Sequence, residues 1–278
     1  TLLSLGMSAD PSIGFGPVMK FALFSMGLIA AAFVTDDRRI RALTALMIIV
    51  AAVASMVAIL QFGLQYAEYL ATGSLADDPT ILARITGFMG HWMTFSGQQM
   101  LVWCATVPLV FALGSRKYLI PLGFVGVALL LSFTRGVWLG SAAGIAVVAF
   151  YLPKRQLLQL LIPISVVALL ASPLIVHRIS MSFLEGGFAP DEARFAYLDV
   201  GVRMIQDHPL FGVGPERIAV EFPNYYRGDD LENFFYGHLH NNFLQIGAER
   251  GLLCLAAFAW LLFSLGKDFV RRTASKQG

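Results

Sequence analysis

The chain has 278 residues, of which 57% are hydrophobic and only 14% are charged. A soluble domain with this balance lacks the polar groups needed to cover its apolar surface. The composition therefore favours a membrane protein over a large soluble helical core. The formal net charge of +2 is too small to indicate a strongly charged partner, and we expect no nucleic acid partner.

Long apolar runs separated by charged breaks predict an all-α protein, a polytopic transmembrane helical bundle. The runs are longer than buried strands and have the length of membrane helices. About seven spans are predicted, at residues 17–35, 42–64, 94–113, 119–134, 136–152, 156–176 and 242–266. We expect residues 1–278 to form a single transmembrane domain, with the long segment 177–241 as a loop within it.

Four basic clusters lie at alternate ends of these spans. They are Arg38, Arg39 and Arg41; Arg116 and Lys117; Lys154 and Arg155; and Lys267, Arg271 and Arg272. If all four clusters face the cytoplasm, as the positive-inside tendency requires, residues 65–93, the joint at Arg135 and the loop 177–241 lie outside. Of the 18 Asp and Glu residues, only Asp36, Asp37 and Asp268 then lie on the cytoplasmic side. We expect the functional residues on the opposite, non-cytoplasmic side.

The outer loop 177–241 is too long for a simple connector. It is predicted to contain a helix over residues 190–207, because Pro190 suits a first helical turn and Pro209 prevents continuation beyond His208. Gly212 and Gly214 predict a turn after this helix. The aromatic residues that follow suit either a sugar-stacking surface or an interfacial belt: Phe222, Tyr225, Tyr226, Phe234, Phe235 and Tyr236.

Neither a disulfide nor a metal site is predicted. Cys104 and Cys254 both fall inside apolar runs, where we expect them to act as small core residues. No Cys/His spacing resembles a zinc site, and no cofactor motif supports a bound cofactor.

The most informative local sequence runs from Gly237 through His240 to Leu252, at the start of the last predicted span. Asn241, Gln245 and Glu249 recur every four residues, so a helix would align them on one stripe. Polar groups beside lipid are costly unless they face a wet cavity. This pattern predicts a functional site at the outer mouth of the last span.

Several motifs together give the sequence its resemblance to a known family. They are Arg84-Ile85-Thr86-Gly87-Phe88 with His91; Ser132-Phe133-Thr134-Arg135-Gly136-Val137-Trp138-Leu139; Arg194 with the segment Met204 to Gly214; His238-Leu239-His240-Asn241-Asn242; and Glu249-Arg250-Gly251-Leu252. In this order they resemble the O-antigen ligase and O-antigen polymerase family of bacterial membrane glycosyltransferases, over roughly residues 80–265. Family members usually have more than seven spans, so the resemblance implies that N-terminal spans are missing from this chain.

The resemblance implies a glycan transferred from undecaprenyl diphosphate, a polyprenyl diphosphate carrier, to an acceptor hydroxyl. The acceptor is lipid A core for a ligase and another repeat unit for a polymerase. The reaction takes place at the periplasmic face of the bacterial inner membrane, in lipopolysaccharide or polysaccharide biosynthesis. Arginines suit such chemistry, because their forked donors neutralise a departing diphosphate without a metal ion.

His240 is the predicted catalytic base, because neutral imidazole accepts a proton near working pH and the residue lies where the outer loop meets the last span. The predicted substrate-binding residues are Arg84, Arg135, Arg194, His238 and Asn241. Each assignment has an alternative: His240 caps the last helix, Arg135 snorkels to the lipid surface, and Arg194 pairs with Asp191 or Asp199. The histidines expected to be structural are His91, His177 and His208.

Two other classes compete with the enzyme. A polytopic transporter or flippase of a lipid-linked or anionic substrate would also explain the spans and a buried arginine. It predicts charged or broken helices near the middle of the bilayer and often a repeat between halves, whereas polar residues here concentrate at the outer ends. A structural or receptor-like membrane protein gives no reason for Arg84, Arg135 and His240 to share one face.

Overall fold

The computed structural model describes residues 1–20, 22–74, 78, 84–112, 114, 116–149, 153–184, 189–229, 231 and 237–274. All regular elements within these residues are helical, so the predicted all-α class is confirmed. The helices are α1 (Leu2–Gly6), α2 (Pro11–Met19), α3 (Ala22–Phe33), α4 (Asp37–Thr72), α5 (Trp92–Ala112), α6 (Leu119–Leu131), α7 (Arg135–Ala149), α8 (Lys154–Leu170), α9 (Ser172–Leu184), α10 (Ala189–Asp207), α11 (Ile218–Tyr225) and α12 (Asn242–Ala274). A short 3₁₀ turn, Arg116–Tyr118, precedes α6.

The chain divides into two compact units. The first, called here the loop unit, comprises Thr1–Ala31 and Gly186–Gly278, and the second, called the bundle unit, comprises Ala32–Glu185. The loop unit therefore contains α10, α11 and α12, whereas α4 to α9 belong to the bundle unit.

The bundle unit is organised around the long helix α4. Its start is fixed by Asp36, whose side chain accepts a hydrogen bond of 2.8 Å from the Arg39 backbone N–H. It ends at Gly73, which has a φ of 64° and donates its backbone N–H to the Tyr69 carbonyl. Helix α4 packs against α6 and α5, and α5 packs against α6 and α7. Buried side chains at this packing include Ile48, Val110 and Val125.

The loop unit is built on the packing of α10 against α12 and α11. Its core contains Val200, Met204, Phe222 and Ala248, all fully buried. Gly201 allows the close approach of α10 to α12, because a Cβ there would lie 2.6 Å from Leu244 Cγ. The helix predicted at 190–207 is confirmed as α10.

Helix α12 is kinked at Gly251, where φ is 80° and ψ is 170°. The carbonyls of Ala248 and Glu249 accept hydrogen bonds from the turn residues Val213 (2.9 Å) and Gly214 (3.0 Å) instead of continuing the helical pattern. A Cβ at Gly251 would also collide with the Leu210 carbonyl. Glycine is therefore required at the kink, and the predicted turn at 212–214 is confirmed as the segment that docks there.

Two of the described helices are long and apolar enough to cross a membrane, Asp37–Thr72 and Asn242–Arg271. They contain the predicted spans 42–64 and 242–266. The other five spans stay predictions. The predicted span 17–35 covers parts of α2 and α3, and the predicted span 156–176 is divided at Ala171 between α8 and α9. Pro173 fits this division, because proline suits a first helical turn and has no backbone N–H to donate to a preceding turn.

Candidate functional site

Arg84 lies two residues before a tight turn that Gln61 of α4 holds in place. The Gln61 Oε1 atom accepts hydrogen bonds from the backbone N–H groups of Thr86 (3.2 Å) and Gly87 (3.0 Å), and its Nε2 atom donates to the Gly87 carbonyl (2.9 Å). Gly87 has a φ of 57°, and a Cβ there would lie 2.7 Å from the Phe95 ring. These contacts therefore fix the backbone that immediately follows Arg84.

The Arg84 guanidinium lies over the Trp92 ring, with its Cζ atom 5.1 Å from the ring centroid. Burial, followed by repulsion from Arg178 and Arg135, lowers the pKa of Arg84 to about 10. Such repulsion requires Arg178 and Arg135 each to lie near Arg84. We call Arg84, Arg135 and Arg178 the arginine cluster. A cluster of like charges is an attractive environment for a multiply charged anion.

Arg178 was not predicted from the sequence. It is 8% exposed and follows His177, whose Nε2 atom lies 2.5 Å from the Oδ2 atom of the buried Asp78. This contact ties α9 to the segment between α4 and α5, and supports the structural role predicted for His177. Its position in the sequence could have indicated a role. Arg178 follows the predicted span 156–176 on the non-cytoplasmic side, to which Arg84 and Arg135 were also assigned.

Arg135 is the first residue of α7 and is exposed. The joint before it is tightly built, because Phe133 has a φ of 47° and the Thr134 carbonyl accepts backbone hydrogen bonds from Val137 (3.0 Å) and Trp138 (3.1 Å). The Trp138 Nε1 atom donates back to the Leu129 carbonyl at 2.9 Å. Arg135 thus extends from a rigid joint at the amino end of a helix, where the helix dipole favours anions.

An apolar cavity of about 290 Å³ lies in the bundle unit between α5, α6 and α7, with Gln159 of α8 also at its wall. Trp103, Leu122, Val127 and Ile145 are among its lining side chains. Trp138 lines it as well, one helical turn along α7 from Arg135. The cavity therefore offers space for an apolar chain close to one member of the arginine cluster.

His240 belongs to a separate pocket in the loop unit. This pocket, called here the histidine pocket, has a volume of about 230 Å³. It is lined by Arg194, Phe195, Leu198, Leu239, His240, Asn241 and Leu244. The His240 ring centroid lies 3.9 Å from that of His238 and 4.8 Å from that of Tyr197. The structure thus brings together four of the predicted site residues, Arg194, His238, His240 and Asn241.

The histidine pocket disfavours a charged imidazole. Burial, together with the positive charges of His238 and Arg194, lowers the pKa of His240 below its ordinary value. A neutral imidazole has a free lone pair and can accept a proton. The electrostatics of the pocket therefore suit His240 as a general base.

The cap of α12 is Asn241 rather than His240. The Asn241 Oδ1 atom accepts hydrogen bonds from the backbone N–H groups of Phe243 (3.0 Å) and Leu244 (3.2 Å). The predicted polar stripe is confirmed, because the Gln245 Nε2 atom donates to Glu249 Oε1 at 2.5 Å. Gln245 Oε1 also accepts from the Leu239 backbone N–H at 2.8 Å, which fixes the segment that carries His240.

The sequence analysis offered Asp191 or Asp199 as an ion-pair partner for Arg194, and a structural role for His91. Asp199, offered as a partner for Arg194, forms an ion pair of 2.6 Å with Arg203. The side chain of Asp191 lies outside the described residues. His91 has structural contacts, since its Nδ1 atom accepts a hydrogen bond from the Met93 backbone at 3.2 Å and its ring stacks on Trp92.

The described residues form a helical protein in which the arginine cluster and the histidine pocket lie in separate units. The O-antigen ligase family model matches residues 120–259, just over half of the chain, and the chain belongs to this family. The matched region contains Arg135, Arg178, Arg194 and His240, whereas Arg84 precedes it. No curated protein and no solved structure matches the chain.

Family membership points to a membrane-bound glycosyltransferase of the O-antigen ligase or polymerase type. Its substrates at this level are a lipid-linked glycan and an acceptor. The family match therefore agrees with the resemblance read from the motifs.

Proposed function

We propose that this protein transfers a glycan from undecaprenyl diphosphate to an acceptor hydroxyl, with His240 as the general base. The observation that carries the proposal is the histidine pocket, in which His240 and Arg194 line one small cavity. The cavity combines a group that accepts a proton with a group that binds an anion. Glycan transfer from a diphosphate needs both.

In the proposed reaction, the acceptor oxygen attacks the anomeric carbon of the donor sugar. His240 takes the proton of that hydroxyl as the new carbon–oxygen bond forms. The bond between the anomeric carbon and the diphosphate oxygen breaks, and its electron pair leaves with the diphosphate. Acid–base catalysis of this kind typically contributes about 10²–10⁴-fold to the rate.

The departing diphosphate is assigned to Arg84 and Arg135 of the bundle unit, with Arg178 as an additional contributor of positive charge. Arg194 of the loop unit is assigned to an anionic part of the substrate beside His240. Guanidinium groups bind phosphate oxygens in bidentate fashion and stay charged at neutral pH. The positive charges of Arg178 and Arg135 act on Arg84. They support the assignment of the diphosphate, because a bound diphosphate would offset their repulsion of the Arg84 guanidinium. His238 and Asn241 are assigned to substrate contacts beside the base.

The apolar cavity of the bundle unit is assigned to part of the polyprenyl chain. Its lining is almost entirely hydrophobic, and Trp138 places it one turn of α7 from Arg135. An isoprenoid chain in the cavity would put its diphosphate end near the amino end of that helix. Burial of such a chain is favourable by about 25 cal/mol per Å² of apolar surface.

We place the reaction on the periplasmic side of the bacterial inner membrane. The support is the distribution of the basic clusters, which the positive-inside tendency assigns to the cytoplasm. A cysteine introduced at the exposed Gly237, in a variant with Cys104 and Cys254 replaced, should react with an impermeant maleimide in cells with an intact inner membrane. Reaction only after that membrane is permeabilised would contradict the orientation.

The stereochemistry of the product tests the proposed reaction. A single displacement at the anomeric carbon inverts its configuration, whereas a covalent glycosyl-enzyme intermediate retains it. We therefore expect NMR spectra of the new linkage to show the configuration opposite to that of the donor. A retained configuration would contradict a single displacement with His240 as base. It would indicate a covalent intermediate on a nucleophile elsewhere in the chain.

A further inference from the structure

A second pocket in the loop unit has no role in the transfer chemistry described above. It has a volume of about 550 Å³, within the range of small-molecule sites. Its walls come from the last turns of α10, from α11 and from the residue that follows shortly after α11. The lining side chains include Gln206, Asp207, Glu221, Tyr225 and Arg227, and we call this site the polar pocket.

Several lining groups are held in place by their neighbours. Arg203, which also lines the pocket, forms an ion pair of 2.6 Å with Asp199 and donates to the Tyr225 carbonyl at 3.4 Å. Glu221 is held by the buried Arg217 and by the Asn224 side-chain amide, which donates at 3.2 Å. Such support lets the pocket bind without first ordering these side chains.

The protonation states of Glu221 and Tyr225 give the polar pocket both a hydrogen-bond acceptor and a hydrogen-bond donor. Although burial acts to raise it, hydrogen bonds from Arg217 and Asn224 lower the pKa of the Glu221 carboxyl, which therefore stays an acceptor. Burial, the charge of Asp207 and a hydrogen bond with it raise the pKa of the Tyr225 hydroxyl. Tyr225 consequently stays protonated at neutral pH and adds a partly buried ring with a polar end.

The composition of the polar pocket selects one class of ligand. Two guanidinium groups (Arg203 and Arg227) are balanced by two carboxylates (Asp207 and Glu221), so the site has no net formal charge. The carboxylates oppose a phosphate or an acidic sugar, and the polar walls oppose a lipid chain. A neutral molecule with many hydroxyls meets donors and acceptors on the same surface. The aromatic ring of Tyr225 offers an apolar contact for the C–H face of a sugar.

We propose that the polar pocket is a saccharide subsite that binds a neutral sugar of one of the two glycans joined by the enzyme. This inference rests on the proposed function for the identity of the glycans. Helix α10 contributes Leu198 to the histidine pocket and Gln206 to the polar pocket. Eight residues of helix correspond to about 12 Å. The sugar bound here is therefore not the reacting one, but one farther along the same glycan.

The first experiment measures binding without transfer. Free oligosaccharides released by mild acid from the lipopolysaccharide of the source bacterium are separated into core oligosaccharide and repeat-unit oligosaccharide. Each is titrated calorimetrically into the full chain in detergent. We expect one of them to bind the wild type. The double variant Gln206→Ala/Arg227→Ala should bind it roughly tenfold more weakly, a loss equivalent to about 1.4 kcal/mol. Binding of the core fraction assigns the polar pocket to the acceptor of a ligase, and binding of the repeat fraction assigns it to the repeat-unit glycan.

A matched control is Lys267→Ala, which removes an exposed positive charge on α12 outside all the pockets described here. It should bind both oligosaccharides as the wild type does. Equal binding by the double variant and the wild type, or no binding of either oligosaccharide to the wild type, would overturn the saccharide subsite.

The second experiment separates this inference from the proposed reaction. In vesicles, the double variant should raise KM for the same glycan roughly tenfold and leave kcat near the wild-type value, because its side chains do not contact the reacting atoms. Loss of kcat with unchanged KM would contradict a remote subsite. If replacement of His240 leaves transfer intact, the proposed function fails, yet the calorimetric difference between the double variant and Lys267→Ala still decides the subsite.

Discussion

The arginine cluster of the bundle unit and the histidine pocket of the loop unit differ in the charge of their central side chains. In the arginine cluster, burial and the positive charges of Arg178 and Arg135 lower the pKa of Arg84 to about 10, so the Arg84 guanidinium stays charged at neutral pH. In the histidine pocket, burial and neighbouring positive charge favour the neutral form of His240. The arginine cluster thus brings positive charges together, whereas the histidine pocket favours an uncharged His240.

The difference follows from the chemistry of the side chains. A guanidinium, whose ordinary pKa lies far above neutral pH, tolerates repulsion and partial burial without losing its proton. An imidazole with an ordinary pKa near 6.5 loses its proton under the same influences. Similar surroundings therefore produce a permanent anion-binding group in one unit and a proton acceptor in the other. Glycan transfer from a diphosphate requires this pair of functions.

The largest effect among the variants of the arginine cluster is expected for Arg135→Lys. The lysine keeps the charge but cannot reproduce the planar fork on a phosphate. We expect kcat/KM for transfer to fall about 10–100-fold, as charge-assisted hydrogen bonds are typically worth about 1.5–3 kcal/mol. The assay uses purified protein in vesicles with lipid-linked donor. Arg155→Lys, at an exposed position in the first turn of α8, is the matched control and should transfer normally. Wild-type kinetics for Arg135→Lys would make Arg135 a snorkelling anchor.

A smaller effect is expected in the pH profile of the histidine pocket. Wild-type kcat/KM should fall as pH decreases through the pKa of His240, because the protonated ring cannot act as a base. The neighbouring Arg194 charge lowers that pKa, so Arg194→Gln should move the inflection to higher pH. Lys267→Gln should leave the inflection in place. An inflection that does not move, or that moves to lower pH, would show that it does not report a His240 pKa lowered by Arg194.

The smallest effect is expected from chelation. We predict that transfer persists in EDTA, since guanidinium groups supply the positive charge that a metal ion would otherwise provide. Among the described residues, no group of three or more His, Cys, Asp or Glu side chains could hold a metal ion. The measurement is the transfer rate before and after EDTA treatment. Loss of activity that magnesium or manganese restores would mean that the arginine cluster does not stabilise the departing diphosphate without a metal ion.

The sequence predicted much of the scaffold that supports these two regions. Helix α10 was identified by prolines near both of its ends, and the polar stripe of α12 by its four-residue spacing, because both signals are local. The kink at Gly251 was not predicted. It depends on hydrogen bonds between α12 and residues 209–214, which are distant in the sequence. Local patterns do not determine such a contact.

The candidate site was predicted unevenly for the same reason. His240 lies in a dense local motif, and its neighbours His238 and Asn241 are adjacent in the chain. Arg178 has no such motif, and its relation to Arg84 depends on the contact between His177 and Asp78, which are 99 residues apart. The polar pocket was not predicted, although Tyr225 lies in the aromatic stretch singled out from the sequence. Its charged walls come from two helices packed together.

The most direct test of the division between anion binding and proton transfer is the variant His240→Asn. Asparagine tolerates the φ of 53° at this position but cannot act as a base near neutral pH. We expect turnover to fall about 10²–10⁴-fold, with the Kd for the lipid-linked donor near the wild-type value. His238→Asn should lose less turnover. A well-folded His240→Asn protein that transfers glycan at the wild-type rate would contradict the account.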